Sequence, residues 1–290
     1  MTTTDDRQRL AQRHPDQRRL LELIDGARVF DLGRPLRNGI AQSPNHAAFR
    51  HCLDRRHGDR VRADGGSAAS DLISLGCHVG THVDALAHVS QDGLLHGEVD
   101  ARRAQTGGRF ESLGIHELPP FVGRGVLADV PGHLGVDCCP PGYEITVEDL
   151  EAAAASQATP IRATDAVLVR TGWGRHAADP ERYRGVRSGV PGVGTAAAGW
   201  LAARRVSLVG ADTLACEVLA PGAGHSLLPV HRILLVEAGI NIIEALDLDE
   251  LSEAGAFEFL FVLGHLNVFG ATGAPARPLA IVVGSDASRP

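Results

Sequence analysis

The sequence has no surplus of positive charge, no apolar run long enough to cross a bilayer and no CxxC pair. Each lack removes a class of function. Lys and Arg total 28 against 35 Asp and Glu, a formal charge of -7. Sequence-independent nucleic-acid binding needs the opposite, a basic surface that displaces phosphate counterions. A membrane-spanning helix needs about 20 predominantly apolar residues, and no window of the chain approaches that. The opening stretch MTTTDDRQRLAQRHPDQRRLLELIDG lacks the apolar centre of a secretory signal, and Asp5, Asp6, Asp16 and Glu22 set it apart from a transit peptide. It reads as an exposed helical extension over residues 1–27, and the expectation is a cytoplasmic protein with neither a membrane nor a nucleic-acid partner. Cys52, Cys77, Cys138, Cys139 and Cys216 are odd in number and include an adjacent pair, so a disulfide framework is not expected.

No repeat and no long linker divides the chain. With 290 residues, 44% of them hydrophobic, one domain over residues 28–284 is expected, with residues 285–290 a loose tail. Short apolar or alternating runs at 123–130, 165–173, 205–212, 240–248, 257–264 and 278–284 predict six strands, and Leu72, Ile73 and Leu75 suggest another leading into residue 78. Between them lie helical patterns at 146–156, 194–205 and 229–239. Thr146 three residues before Asp149 is a capping-box spacing in its acidic form, and Gly239 is a helix stop. Strands alternating with helices, with further strands toward each end, predict a mixed α/β domain.

The densest chemistry lies in HVGTHVDALAH, residues 78–88, with three histidines and an aspartate in eleven residues. His78 and His82 are four apart and Asp84 follows two later. Imidazole nitrogen together with carboxylate oxygen is a common first shell for Zn, Mn or Fe. Gly80 can take backbone angles closed to other residues, so the chain can curl and aim both imidazoles at one point. The remaining histidines, His46 and His225 among them, sit in no comparable pattern. His231 opens the helical stretch that Gly239 closes, and Glu244 lies on the strand that returns. A tight turn between the two can bring residues thirteen apart side by side, and Glu244 is otherwise an odd charge inside an apolar strand.

These residues resemble the HxGTHxDxPxH signature of the cyclase family that includes bacterial-type kynurenine formamidases and isatin hydrolases. Every fixed position matches except Leu86, which stands where the signature has proline. FDLGRPLRNGIAQSPNH, VLVRTGW, VGADTLACEV and PVHRILLVEAGINIIEALDLDEL are similar to further family segments in the same order, from about residue 28 to 284. The resemblance implies a swivelling β/β/α arrangement, with a β-barrel-like core and outer helices, and a homodimer or homotetramer. It implies one or two divalent ions, Zn or Mn, held by His78, His82, Asp84, His231 and Glu244, with Asp84 as the candidate bridge. His88 matches the family's acid/base.

The function expected on these grounds is metal-dependent hydrolysis of an amide, formamide or lactam/lactone bond in a small molecule, aromatic compounds among the candidates. Trp173, and less directly Phe49 or Phe110, are candidates to stack on such a ring, with an ordinary core role as the equal alternative for each. Two alternatives stand beside it. One is a metal-dependent cyclase or dehydratase, in which His88 moves protons without net addition of water. The other is a non-catalytic metal-binding protein, which would have no use for an unligated base.

Overall fold

The computed structural model describes residues 15–283. Nine strands form one sheet: β1 (Arg28–Asp31), β2 (His82–Asp84), β3 (Phe121–Asp129), β4 (Ala166–Arg170), β5 (Leu208–Ala211), β6 (Asn241–Glu244), β7 (Glu258–Leu263), β8 (Gly273–Pro275) and β9 (Leu279–Val282). Their spatial order is β1-β9-β7-β3-β4-β5-β6-β2-β8. The middle four, β3 to β6, run parallel, and every other pairing is antiparallel. The sheet curls into a half-barrel, so the mixed α/β domain expected from the sequence is the fold observed.

Parallel neighbours need crossovers, and helices supply them. An N-terminal helix, α1 (Pro15–Ile24), precedes the sheet, and α2 (Val147–Ser156), α3 (Thr195–Ala203) and α4 (Pro229–His231) connect the parallel strands in turn. The central strands are predominantly apolar because both faces are covered, with polar residues mainly at their ends. Val167, Val169, Val209 and Ile242 pack under Leu150, Leu201, Leu234 and Leu235 on the helical side. Ala166, Leu168, Leu208 and Ile243 turn the other way, into a core with Val83, Leu127, Phe259 and Phe261.

All six expected strands are present, and the three expected helices start within a residue or two of their predicted positions. The third departs from expectation beyond its first turn, where α4 passes into a π-helix over Arg232–Ala238 before Gly239 ends it at φ +68°. Such i→i+5 segments recur at functional sites. The strand expected around Leu72 and Ile73 also differs in its role. Ser70–Ser74 pairs only with Arg50–Arg55, as a hairpin outside the main sheet that leaves Leu72 and Ile73 exposed. Its run of apolar residues is too short to cover a face. Of the expected extension, the helix at Pro15–Ile24 is observed, while residues 1–14 and the expected tail lie outside the described residues. Among the described residues no helix is long and apolar enough to cross a membrane. The five cysteines are free, with Cys139 and Cys216 buried.

The acidic capping box forms as its spacing predicted. Asp149 N–H donates to Thr146 Oγ1 at 3.1 Å, and Thr146 N–H donates back to Asp149 Oδ2 at 2.9 Å. Thr146→Ala removes one of these bonds and should cost about 1 kcal/mol of stability, read from the shift of the urea unfolding midpoint. An unchanged midpoint would show that Asp149 alone secures the start of α2.

Candidate metal centre

Strand alternation builds one wall of the site. On β2, Val83 points into the inner core while His82 and Asp84 point together to the opposite face. The register then fixes their partner, because β2 pairs antiparallel with β6 with Val83 opposite Ile243 and His82 opposite Glu244. Two further bonds lock the pairing. Thr81 Oγ1 donates to the Ala245 carbonyl at 2.7 Å, and Asn241 Nδ2 donates to the Asp84 carbonyl at 2.7 Å. Gly80 takes φ +70°, the conformation the curl between the two histidines requires. Its carbonyl lies 2.8 Å from His82 Nδ1, which places the ring proton there and leaves Nε2 as the free donor atom.

The second wall comes from the crossover between β5 and β6. His231 ends the short α4, and its Nδ1 lies 2.6 Å from Glu217 Oε1. Glu217 also accepts the backbone N–H groups of Val230 and His231, each at 3.1 Å. One buried carboxylate therefore caps the helix and orients the imidazole, so that His231 Nε2 faces Glu244 Oε1 at 3.2 Å and Asp84 Oδ2 at 3.6 Å. His82 Nε2 faces Glu244 Oε2 at 3.4 Å and Asp84 Oδ1 at 3.5 Å. His78 is held at both nitrogens, 2.7 Å from Asp84 Oδ1 and 2.8 Å from Thr272 Oγ1.

Three of these atoms stay unsatisfied despite their neighbours. His82 Nε2, Asp84 Oδ2 and Glu244 Oε1 are buried and form no hydrogen bond. Buried polar atoms without partners are rare, and an ion is one of the few things that accounts for them. The donor set suits a divalent cation such as Zn or Mn. Donor atoms of His78, His82 and Asp84 lie within 4.8 Å of one another, as do those of Asp84, His88 and His231, so Asp84 is common to two potential ion positions.

The electrostatics call for positive charge at this point. Burial pulls His82 and His231 down, yet Asp84 and Glu244, joined by Glu217 for His231, outweigh it and push both imidazoles up to about 10. Burial raises the two carboxyls, but the surrounding imidazoles hold Asp84 well below the usual carboxylate range and Glu244 below it as well. His88 behaves differently. Burial drives it down to about 4 against the pull of Asp84, so it is neutral at neutral pH. His88 sits on the turn after β2, with its N–H bonded to the Ala85 carbonyl at 2.9 Å. Its ring stacks on His78 at 3.8 Å between centroids and faces the same cavity.

That cavity has a volume of about 180 Å³. The structure brings His78, His82, Asp84, His88, His231 and Glu244 together, as their sequence positions suggested. Trp173 is not with them. It is 3% exposed, packs in the core with Tyr183, Ala41 and Val190, and donates its indole N–H to the Tyr183 carbonyl at 2.9 Å. Satisfied and enclosed, it offers no face to a substrate. Phe49 and Phe110 do not line the cavity either.

Three site residues went unread in the sequence. Glu217 was legible in principle, as a carboxylate set among apolar residues in ACEVL. His46 and His225 line the cavity from loops remote in sequence, and no local pattern marks them. Leu86, the departure from the family signature, packs against the helical-side core.

Comparison with known proteins agrees with this architecture. A family model described as "Putative cyclase" matches residues 30–218. A kynurenine formamidase from Bacillus cytotoxicus is 28% identical over 103 residues, which span 33% of this chain and 47% of that enzyme. A crystal structure described as a novel cyclase superposes with a TM-score of 0.80 at 29% identity, covering 90% of each chain. Isatin hydrolase A from Labrenzia aggregata, bound to benzyl benzoate, gives 0.68 at 25% identity over 92% of this chain and 100% of that one. Isatin hydrolase A from Ralstonia solanacearum shares the fold, with a TM-score of 0.71 at 23% identity over 97% of this chain and 100% of that one. With the family model covering well over half of its length and the metal-type residues gathered at one point, the chain belongs to the cyclase family.

Proposed function

We propose that the protein is a metal-dependent hydrolase that cleaves an amide, formamide or lactam/lactone bond of a small molecule. The observation that carries this reading is the convergence of three unsatisfied buried donor atoms beside a neutral histidine. The kynurenine formamidase and isatin hydrolase relatives support it as proteins of the same family. His78, His82, Asp84, His231 and Glu244 would hold one or two ions, Zn or Mn. A divalent ion so held acidifies bound water and polarises a carbonyl.

The remaining chemistry belongs to the chain's own groups. His88 takes a proton from the attacking water as its oxygen bonds to the carbonyl carbon. The bond to the leaving nitrogen or oxygen then breaks, and His88 returns the proton to that atom. The sum is addition of one water, which separates hydrolysis from the cyclase or dehydratase alternative by product mass. Placed beside His78 and kept neutral by burial, His88 is ready to accept a proton without first losing one. Glu217 holds His231 in one tautomer and one orientation, the role that outer carboxylates play around metal-binding histidines.

The first test is metal content by elemental mass spectrometry. The wild-type protein should carry one or two ions per chain and Asp84→Ala none; absence of metal in both, after incubation with Zn and Mn, would sink the reading. Glu217→Gln should keep the stoichiometry at saturation while weakening affinity by roughly 10–100-fold in a chelator competition. His88→Ala should retain its metal and lose about 10²–10⁴-fold in kcat on any formamide or lactam the wild type turns over. Loss of metal in His88→Ala would instead make His88 a ligand.

A further inference from the structure

Each imidazole of the cluster is aimed by whatever holds its other nitrogen, and His78 is held differently from the rest. His82 and His231 keep Nδ1 against acceptors, the Gly80 carbonyl and the Glu217 carboxylate, so Nε2 is the atom each presents. His78 has the reverse arrangement. Its Nδ1 faces Asp84 Oδ1 at 2.7 Å, inside the cluster. Its Nε2 lies 2.8 Å from the hydroxyl of Thr272, which does not line the cavity.

The second neighbour of β2 fixes the position of that hydroxyl. β8 pairs antiparallel with β2, with Gly273 opposite Asp84 and Pro275 opposite His82. Thr272 stands one residue before β8, and its carbonyl accepts the Ala85 N–H at 2.9 Å. The preceding carbonyl, of Ala271, accepts the N–H of the buried Ile115 at 2.8 Å. Backbone bonds to two separate segments leave Thr272 little freedom to shift. Gly273 completes the seat, since a Cβ there would lie 2.6 Å from His78 Cε1 and 2.8 Å from the Val83 carbonyl oxygen. The ring occupies the space that a side chain at 273 would need.

A histidine binds an ion through a lone pair, so its other nitrogen carries the proton and needs an acceptor. The Thr272 oxygen supplies one. With Nε2–H given to that oxygen, the lone pair of His78 sits on Nδ1, beside Asp84 Oδ1. With the proton on Nδ1 instead, His78 would donate to Asp84 and offer the cluster no lone pair.

We infer that Thr272 is a positioning residue that accepts the Nε2–H of His78, so that His78 meets the ion through Nδ1 while His82 and His231 meet it through Nε2. This rests on the metal reading of the site and assumes nothing about the substrate. It bears on the base as well, because His88 stacks on His78 at 3.8 Å and a ring free to turn would lose that partner.

The test uses the full-length protein, zinc as the probe and two substitutions at one position. Thr272→Val keeps the branched shape and removes the acceptor, whereas Thr272→Ser keeps the acceptor and loses a methyl. In chelator competition Thr272→Val should bind zinc roughly 10–100-fold more weakly than wild type, and Thr272→Ser within about threefold of it. Long-range proton–nitrogen NMR correlation of the zinc-loaded wild type should place the ring proton on Nε2 for His78 and on Nδ1 for His82 and His231. A merely structural role for Thr272 would not set that pattern. Unchanged zinc affinity in Thr272→Val overturns the inference. So does a Thr272→Ser as weak as Thr272→Val, or a loaded wild type with the His78 proton on Nδ1. In each of these the metal reading stands, because wild type still binds zinc. Should Thr272→Val not fold, the wild-type spectrum decides alone. A wild type that takes up no zinc removes the metal reading and the inference with it.

Discussion

The pairing of β2 with β6 is the constraint on which the site depends. Side chains on a strand alternate, so a slip of one residue in β2 would turn Val83 into the cavity and drive His82 and Asp84 into the apolar core, away from Glu244. Val83 and Ile243 are fully enclosed by Leu168, Leu246 and Phe261. Their packing is non-directional, but it selects a single register. Apolar burial on one face of the sheet thus determines the geometry of a polar centre on the other.

The polar side of that arrangement is costly by itself. Asp84, Glu217 and Glu244 are all buried, and an isolated buried carboxylate is expensive. They persist because imidazoles interleave with them. His231 stands between Glu217 and Glu244, and His82 between Glu244 and Asp84. In the free protein, protons on His82 and His231 offset the negative charge. A dication held by the same residues would do so as well and would displace those protons, which would link uptake of the ion to release of protons.

Much of this was legible in the sequence, for reasons that differ between elements. The central strands showed as apolar runs because they are buried on both faces, and α2 showed its start through Thr146 and Asp149. The candidate ligand stretch was readable because its residues are close in sequence and their spacing matches the geometry they adopt. The pairing of His231 with Glu244 could be anticipated because one tight turn joins them. What could not be read was whatever depends on distant segments meeting. β2 and β8 are three residues each, too short to show a period, and β2 consists mainly of candidate ligands. His46 and His225 reach the cavity from loops whose course is set by the rest of the fold. Trp173 was left open between ring stacking and core for the same reason, since only the tertiary structure places it beside Tyr183 in the core.

The position of β2 has a consequence for biosynthesis. It lies between β6 and β8, and Asn241, which bonds the Asp84 carbonyl, is 157 residues further along the chain. While the protein is being made, the stretch from His78 to His88 leaves the ribosome long before either neighbouring strand exists. Until then it is an unpaired segment with three imidazoles and a carboxylate but no Glu217, His231 or Glu244. An ion captured at that stage would meet an incomplete and flexible set of donors, open to whichever metal is most abundant or most avid. The full donor set exists only after the last third of the chain has been synthesised and folded. Any choice of metal at these residues would thereby be deferred to the finished protein, where the shape of the site, and not the order of synthesis, would decide which ion stays.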